Sequence, residues 1–183
     1  IVGQTARLPP HGSLIIQAVG RIVATLNAGT RASAMWLGAG NGAGTVNEVF
    51  TWLSGLPLRS RWSPSGLVHD PVCFDTARLL ADAAVDSVLW VSSFDAAGMP
   101  PESALPLIAL GHPALAPCAR REGAVFIPVS TPGIGSAGHL FRADGGAVLP
   151  LVPVYRDTLP TVAEVLGRLL QAVRALQEKA PAA

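Results

Sequence analysis

An α/β fold with a parallel sheet covered by helices is what this sequence predicts, on three observations. Short apolar runs at residues 87–92 and 124–127 alternate with segments whose apolar residues recur every three to four positions. A glycine-rich turn, residues 38–44, follows an apolar run and opens a helical pattern, as at a strand-to-helix junction. Half of the 183 residues are hydrophobic and only 14% are charged, so both sides of a sheet can be buried.

Residues 1–12 read as a loop. Ser13 is the candidate N-cap of a first helix running to about Asn27, with Leu14, Ile15, Val19, Ile22, Val23 and Leu26 on one side and Ala28 and Gly29 at its end. Residues 34–37 read as a short buried strand, and 45–53 as a helix with Val46, Val49, Phe50 and Leu53 inward, closed by Ser54 and Gly55. A long loop rich in Pro, Ser and Arg spans 56–71, and 74–84 reads as a helix. After the strand at 87–92, Gly98, Pro100 and Pro101 break the chain. Residues 102–110 then read as a short helix weakened by Pro106, and 114–118 and 124–127 as strands. Residues 148–154 are extended, an edge or packing strap because of Pro150 and Pro153. Residues 161–178 are a strong helix with Val162, Val165, Leu166, Leu169, Leu170, Val173 and Leu176 on one side, packing at home or against another subunit. No internal repeat divides residues 1–183, which read as a single domain.

The charge balance is near neutral, 13 basic against 12 acidic residues, with no basic stripe, so nucleic acid is disfavoured as a partner. The apolar runs are short and broken, so the sequence predicts no membrane span and no secretory signal, and a cytoplasmic protein. The first residue is Ile1 rather than Met, which reads as a fragment or a processed product. A low charge fraction in a chain of this size also suggests that part of its apolar surface faces other subunits.

Few residues offer chemistry. The Gly-x-Gly-x-Gly-x-Gly turn at 38–44 could cradle a phosphate with backbone N–H groups, Gly40 and Gly42 foremost. Its spacing is not that of a dinucleotide fingerprint, however, and no acidic residue follows at the distance that would hold a ribose. Cys73 and Cys118 form neither a disulfide framework nor a metal motif, and read as small apolar side chains. His11, His69, His112 and His139 have no metal-ligand spacing, so no metal is expected. His69 and Asp70 could pair as acid and base, or simply belong to a turn. Ser92 and Ser93 at a strand end lack a nucleophile elbow. Arg59, Arg61, Arg120, Arg121 and Arg142 are anchors for carboxylates, with Arg59 and Arg61 placed for an interface. Trp52, Trp62 and Trp90 are core or interface aromatics.

Two stretches carry a resemblance. In residues 126–145 a strand ending in Ile127-Pro128 leads to a glycine-rich turn and then to Arg142-x-Asp144-Gly145. In residues 41–57 a glycine turn leads to a helix bearing Asn47, Thr51, Trp52, Gly55 and Pro57. The loop after it carries Ser63-Pro64-Ser65-Gly66 and Asp70-Pro71, and the strand Val88-Leu89-Trp90-Val91-Ser92 comes before Asp95. In this order, over about residues 13–155, the chain resembles the B subunit of formylmethanofuran dehydrogenase, a molybdopterin oxidoreductase fold. There the late segment reads Gly-Val-Glu-Glu-Gly-Gly-Thr-x-x-Arg-x-Asp-Gly. In this chain the register holds from Gly133 to Gly145, but the acidic positions are Gly135 and Ser136 and the Thr position is His139.

The resemblance implies a reduced, Rossmann-like molybdopterin architecture. It also implies that the residues of a metal–pterin centre do not carry over: the cluster cysteines and metal thiolate have no counterpart here. Gly40, Gly42, Gly138, His139, Arg142 and Asp144 remain as vestigial candidates for cofactor binding, with no catalytic residue, no cofactor and no metal expected. The family that fits is the B subunit of the bacterial formyltransferase/hydrolase complex. That likeness implies a non-catalytic structural subunit whose partners are hydrolase, formyltransferase and scaffold subunits. Alternatives are a fragment of a working molybdenum or tungsten formylmethanofuran dehydrogenase, or a small phosphate- or dinucleotide-binding domain.

Overall fold

The structure, a computed structural model, describes residues 11–36, 42–142 and 146–179. The chain divides into two compact units, Ile1–Val46 with Leu140–Leu149, and Asn47–His139 with Pro150–Ala183.

In the first unit, helix α1 (Gly12–Leu26) starts one residue before the expected cap. His11 occupies the N-cap position without a side-chain bond, and Ser13 lies inside the first turn. The helix ends at Asn27, whose side-chain amide donates to the carbonyls of Val23 (2.8 Å) and Ala32 (2.8 Å) and accepts from the Ala32 N–H (3.2 Å). A side chain thus satisfies carbonyls that the helix terminus would otherwise leave open. Residues 34–36 do not form the expected strand, apart from one bridged residue, Trp36; Leu37 lies outside the described residues. Helix α2 (Ala43–Ser54) begins in this unit, where Thr45 Oγ1 accepts from the N–H of Phe141 at 2.9 Å.

The second unit holds the core. Most of α2 belongs to it; of the expected inward residues Phe50 is half-buried, while Val46, Val49 and Leu53 are exposed. The segment expected as a loop contains a hairpin, β1 (Ser60–Ser63) and β2 (Gly66–His69), in antiparallel register with Ser63 opposite Gly66. Its two-residue loop is Pro64-Ser65. Proline presets φ for the first turn position, and Gly66 at φ 109° takes a conformation closed to other residues. Helix α3 (Thr76–Ala81) is shorter than the expected 74–84 because Asp75 caps it, accepting from the N–H of Ala77 at 3.1 Å.

Three parallel strands make the main sheet, in the order β3 (Val88–Ser92), β4 (Leu107–Gly111), β5 (Ala124–Pro128). β4 replaces the expected helix at 102–110. Pro106 does not weaken a helix; it leads into the strand, and its carbonyl accepts from the N–H of Val88 at 2.9 Å. Residues 114–118, expected as a strand, lie in a 3-10 helix (Pro113–Ala119). Proline sits at its first turn, and His112 Nδ1 accepts from the N–H of Ala114 at 3.1 Å. Strands β6 (Gly138–Phe141) and β7 (Val148–Leu151) form a separate two-stranded sheet. β6 was expected as part of a continuous glycine-rich turn.

Helix α4 (Val162–Lys179) closes the chain. It opens on a reciprocal capping box: Thr161 Oγ1 accepts from the Glu164 N–H (3.2 Å), and the Glu164 carboxylate accepts from the Thr161 N–H (2.8 Å). Its first two turns seat Val162, Val165, Leu166 and Leu169 on a core of Leu110, Val129 and Ile127. On the opposite face of the sheet Leu115 of the 3-10 helix packs at Gly111 and is buried. Adjacent residues Leu110 and Gly111 point to opposite sides of β4, so helices flank both faces and the α/β class stands.

Candidate functional site

In open parallel sheets, ligands bind beyond the carboxyl ends of the strands. Here those ends carry Ser92 and Ser93, Gly111 and His112, and Ser130 and Thr131. All are taken up in structure. Ser93 and Ser130 are buried. The Ser93 carbonyl accepts from Thr131 Oγ1 at 2.8 Å, the Ser92 carbonyl from the His112 N–H at 3.0 Å, and His112 caps its own 3-10 helix.

The turn that follows β5 is the segment singled out in the sequence. Its amides are spent within the turn: Ile134 and Gly135 donate to the Thr131 carbonyl at 3.1 and 3.0 Å, Ser136 donates to it at 3.4 Å, and Gly133 donates to the Ser136 carbonyl at 2.8 Å. The Ile134 carbonyl in turn accepts from Val154 and Tyr155 at 2.9 and 3.1 Å. A backbone whose donors point inward presents no cradle to a phosphate.

Asp157 is the residue that sequence reasoning missed. Its carboxylate accepts from Ser130 Oγ at 2.8 Å and from the N–H of Leu159 at 3.2 Å. It fills the space beside Gly135 so closely that a Cβ there would overlap the carboxylate and come within 2.7 Å of Ser130 Oγ. Position 135 therefore has no room for an acidic side chain: a carboxylate from a later loop already occupies the place. No local pattern announces this, because the contact is tertiary; the only sequence trace is a glycine at 135.

The vestigial candidates are divided between the two units. Gly42 opens α2 and belongs with Arg142 to the first unit; the Arg142 N–H donates to the Ala147 carbonyl at 2.9 Å. Gly138 and the exposed His139 start β6 in the second unit. A Cβ on Gly138 would stand 2.8 Å from Pro132 Cβ, so that glycine serves close packing. Gly40 and Asp144 lie outside the described residues.

Several of the remaining polar candidates are engaged within the chain. Asp70 Oδ1 accepts from the N–H groups of Cys73 (2.8 Å) and Val72 (2.9 Å), which hold its carboxyl below the usual range. Hydrogen bonding to Asp70 pushes the Cys73 thiol up, away from the thiolate that a metal or a nucleophile requires. His69 is not paired with Asp70 as acid and base; its Nδ1 lies 3.4 Å from Ser60 Oγ. Cys118 lies in the 3-10 helix rather than at a strand end. Arg59 and Arg61, expected at an interface, are exposed and also bond within the chain. Arg59 pairs with Asp75 at 2.8 Å and donates to the Pro71 carbonyl at 2.7 Å, while Arg61 stacks 4.8 Å from the Phe74 ring. Trp90 is half-buried and donates to the Gly98 carbonyl at 2.8 Å, whereas Trp52 and Trp62 are exposed. Among the described residues no three of His, Cys, Asp and Glu converge as metal ligands. The donor set of the described residues, with the Cys73 thiol pushed up and no convergent ligands, does not fit the metal–pterin group that the resemblance would bring. No helix among the described residues is long and apolar enough to cross a membrane.

Fold and site together define an α/β domain with a three-stranded parallel sheet whose carboxyl-end crevice is filled by its own loops. No family profile and no curated protein matches the chain. Among solved structures it is similar to a chain of the formyltransferase/hydrolase complex (FhcABCD) from Methylorubrum extorquens, determined in complex with methylofuran. Identity is 25%, the TM-score is 0.71, and the likeness covers 91% of this chain and 46% of that one. The chain thus spans less than half the length of the solved chain it matches.

Proposed function

We propose that this chain is a non-catalytic structural subunit, of the B type, in a cytoplasmic formyltransferase/hydrolase complex. Such a complex moves a formyl group from formyl-tetrahydromethanopterin to the amine of a methanofuran-like carrier and hydrolyses it to formate. Neither step moves electrons, so the subunit needs no metal–pterin centre. Its partners would be the hydrolase, formyltransferase and scaffold subunits. The observation that carries this reading is the likeness to a chain of that complex over 91% of this chain. The filled turn at 131–136, with Asp157 against Gly135, supports the non-catalytic part. The exposed apolar faces of α1 and α2 support burial in an assembly.

Native purification with mass spectrometry of the co-purifying chains, and elemental analysis for Mo, W and Fe, tests it. Transferase and hydrolase chains without stoichiometric Mo or W are the expected result. Stoichiometric Mo or W with pterin bound to this chain would overturn it and favour a piece of a redox enzyme.

A further inference from the structure

Asp157 is a half-buried carboxylate with no cation beside it: among the described residues no arginine, lysine or histidine lies within ion-pair distance. Two neutral donors hold it instead, the Ser130 hydroxyl at 2.8 Å on one oxygen and the Leu159 N–H at 3.2 Å on the other. Ser130 is 1% exposed and follows Val129, which is fully buried just past β5. A hydroxyl so buried is costly to leave without an acceptor. Beside it the chain keeps open a place the size of a carboxylate, because Gly135 has no side chain and a Cβ there would overlap the Asp157 group.

The group that fills this place arrives on a strap, residues 152–160, between β7 and α4. Its backbone is pinned on both sides of Asp157. The N–H groups of Val154 and Tyr155 donate to the Ile134 carbonyl at 2.9 and 3.1 Å, and the Ser130 N–H donates to the Pro160 carbonyl at 2.9 Å. Val152, Val154 and Tyr155 are exposed, whereas the Asp157 side chain reaches Ser130. The position lies beyond the carboxyl end of a parallel strand, where open sheets bind their ligands. We propose that the end of β5 is a seat for a carboxylate group, and that Asp157 occupies it as an internal ligand carried on the strap. The donors define the class of ligand. One hydroxyl and one N–H match the two oxygens of a carboxylate, and with no cation at hand they suit a single negative charge rather than a phosphate dianion. Free carboxylates are kept out because the tethered one is present at high effective concentration. This inference uses contacts within this chain alone and stands apart from the formyl-transfer reading.

Removing the internal ligand tests it. Asp157→Ala deletes a group the size of formate and leaves the backbone pins of the strap in place. The variant, in the same assembly as the native chain, is melted with increasing sodium formate, or with sodium chloride at equal ionic strength. Formate is expected to raise its Tm saturably toward the native value, and chloride to leave it unchanged. The native protein, whose seat is taken, should show no such rise, nor should the Asp157→Ala, Ser130→Ala double variant, which lacks the hydroxyl. Asp157→Gly, which deletes a group the size of acetate, should shift the preference from formate to acetate. No rise in Asp157→Ala, an equal rise with chloride, or an equal rise in the native protein or the double variant overturns the proposal. If Asp157→Ala does not fold, it is refolded from urea in either salt. Recovery in formate but not in chloride is then expected, and equal recovery or none overturns the proposal.

Discussion

The two rows on one face of the main sheet are built from the same residue types and end differently. At the carboxyl end Leu110 is fully buried under Val165 of α4; one row away Leu89, Ile108 and Val125 are open. Helix α4 repeats the contrast along its own length. Val162, Val165, Leu166 and Leu169 are seated on the core, while Leu170, Val173 and Leu176 are exposed. Hydrophobicity along the chain is continuous across both boundaries, so composition does not distinguish a face that folds the chain from a face that meets something else. Only the tertiary partner does.

The largest effect should separate these rows by stability. Leu110→Ala is expected to cost about 2–5 kcal/mol, because α4 and the sheet cannot close over the missing methyls. Leu89→Ala and Val125→Ala in the isolated chain should stay within about 0.5 kcal/mol, as at ordinary surface positions. Urea unfolding of the three variants measures this, and a Val125→Ala loss as large as that of Leu110→Ala would mean that the row is covered within this chain.

A smaller effect probes the filled crevice. Gly135→Ala should cost about 1–3 kcal/mol, since its Cβ overlaps the Asp157 carboxylate and the surrounding turn must shift. Gly29→Ala, with open space around it, should stay within about 0.5 kcal/mol. Combining Gly135→Ala with Asp157→Ala should cost less than the sum of the two single changes, because the second removes the overlap that the first creates. Additive losses in denaturant titrations would mean that Asp157 and position 135 do not compete for one space.

Smaller again is the start of α4. Thr161→Ala removes the oxygen that accepts from Glu164 and should cost about 1 kcal/mol. Leu176→Ala, on the uncovered half, should leave the melting temperature of the isolated chain unchanged. Equal melting shifts for the two variants would place the second half of the helix against this chain's own core.

What the sequence disclosed follows the same division. The strand at 87–92 and the helix at 161–178 were legible because a run of Val and Leu, or a repeat every three to four residues, holds whatever lies outside. β4 was expected as part of a helix over 102–110 weakened by Pro106, whereas Leu107, Ala109 and Leu110 are buried in the central strand of the sheet, a tertiary fact. The hairpin β1–β2 and the 3-10 helix did have local signals: Ser63-Pro64-Ser65-Gly66 for the turn, and Pro113 after a capping His112 for the helix. The expected loop and strand passed over both. At the crevice, Gly138 and the turn at 131–136 were legible as a place, but its filling by Asp157 was not, because that carboxylate arrives from a different loop.

The smallest effect concerns the turn at 70–73, which faces solvent and carries no core. Its two titrating groups close a pH window from opposite sides. The N–H groups of Cys73 and Val72 favour the ionised Asp70, so its carboxyl is held below the ordinary 3.8. That contribution is in place at neutral pH and is lost only as the pH falls through the lowered value. The Cys73 thiol is raised above the ordinary 9.0, chiefly by its hydrogen bond to Asp70. Its contribution is complete below 9.0 and fades as the pH rises through the raised value. The amide resonances of Val72 and Cys73 should therefore hold steady between these limits and move at both ends. Cys73→Ser should abolish the alkaline movement and leave the acid one, since the backbone N–H groups still face Asp70. Loss of both movements in that variant would mean that the thiol, rather than the backbone, orders the turn.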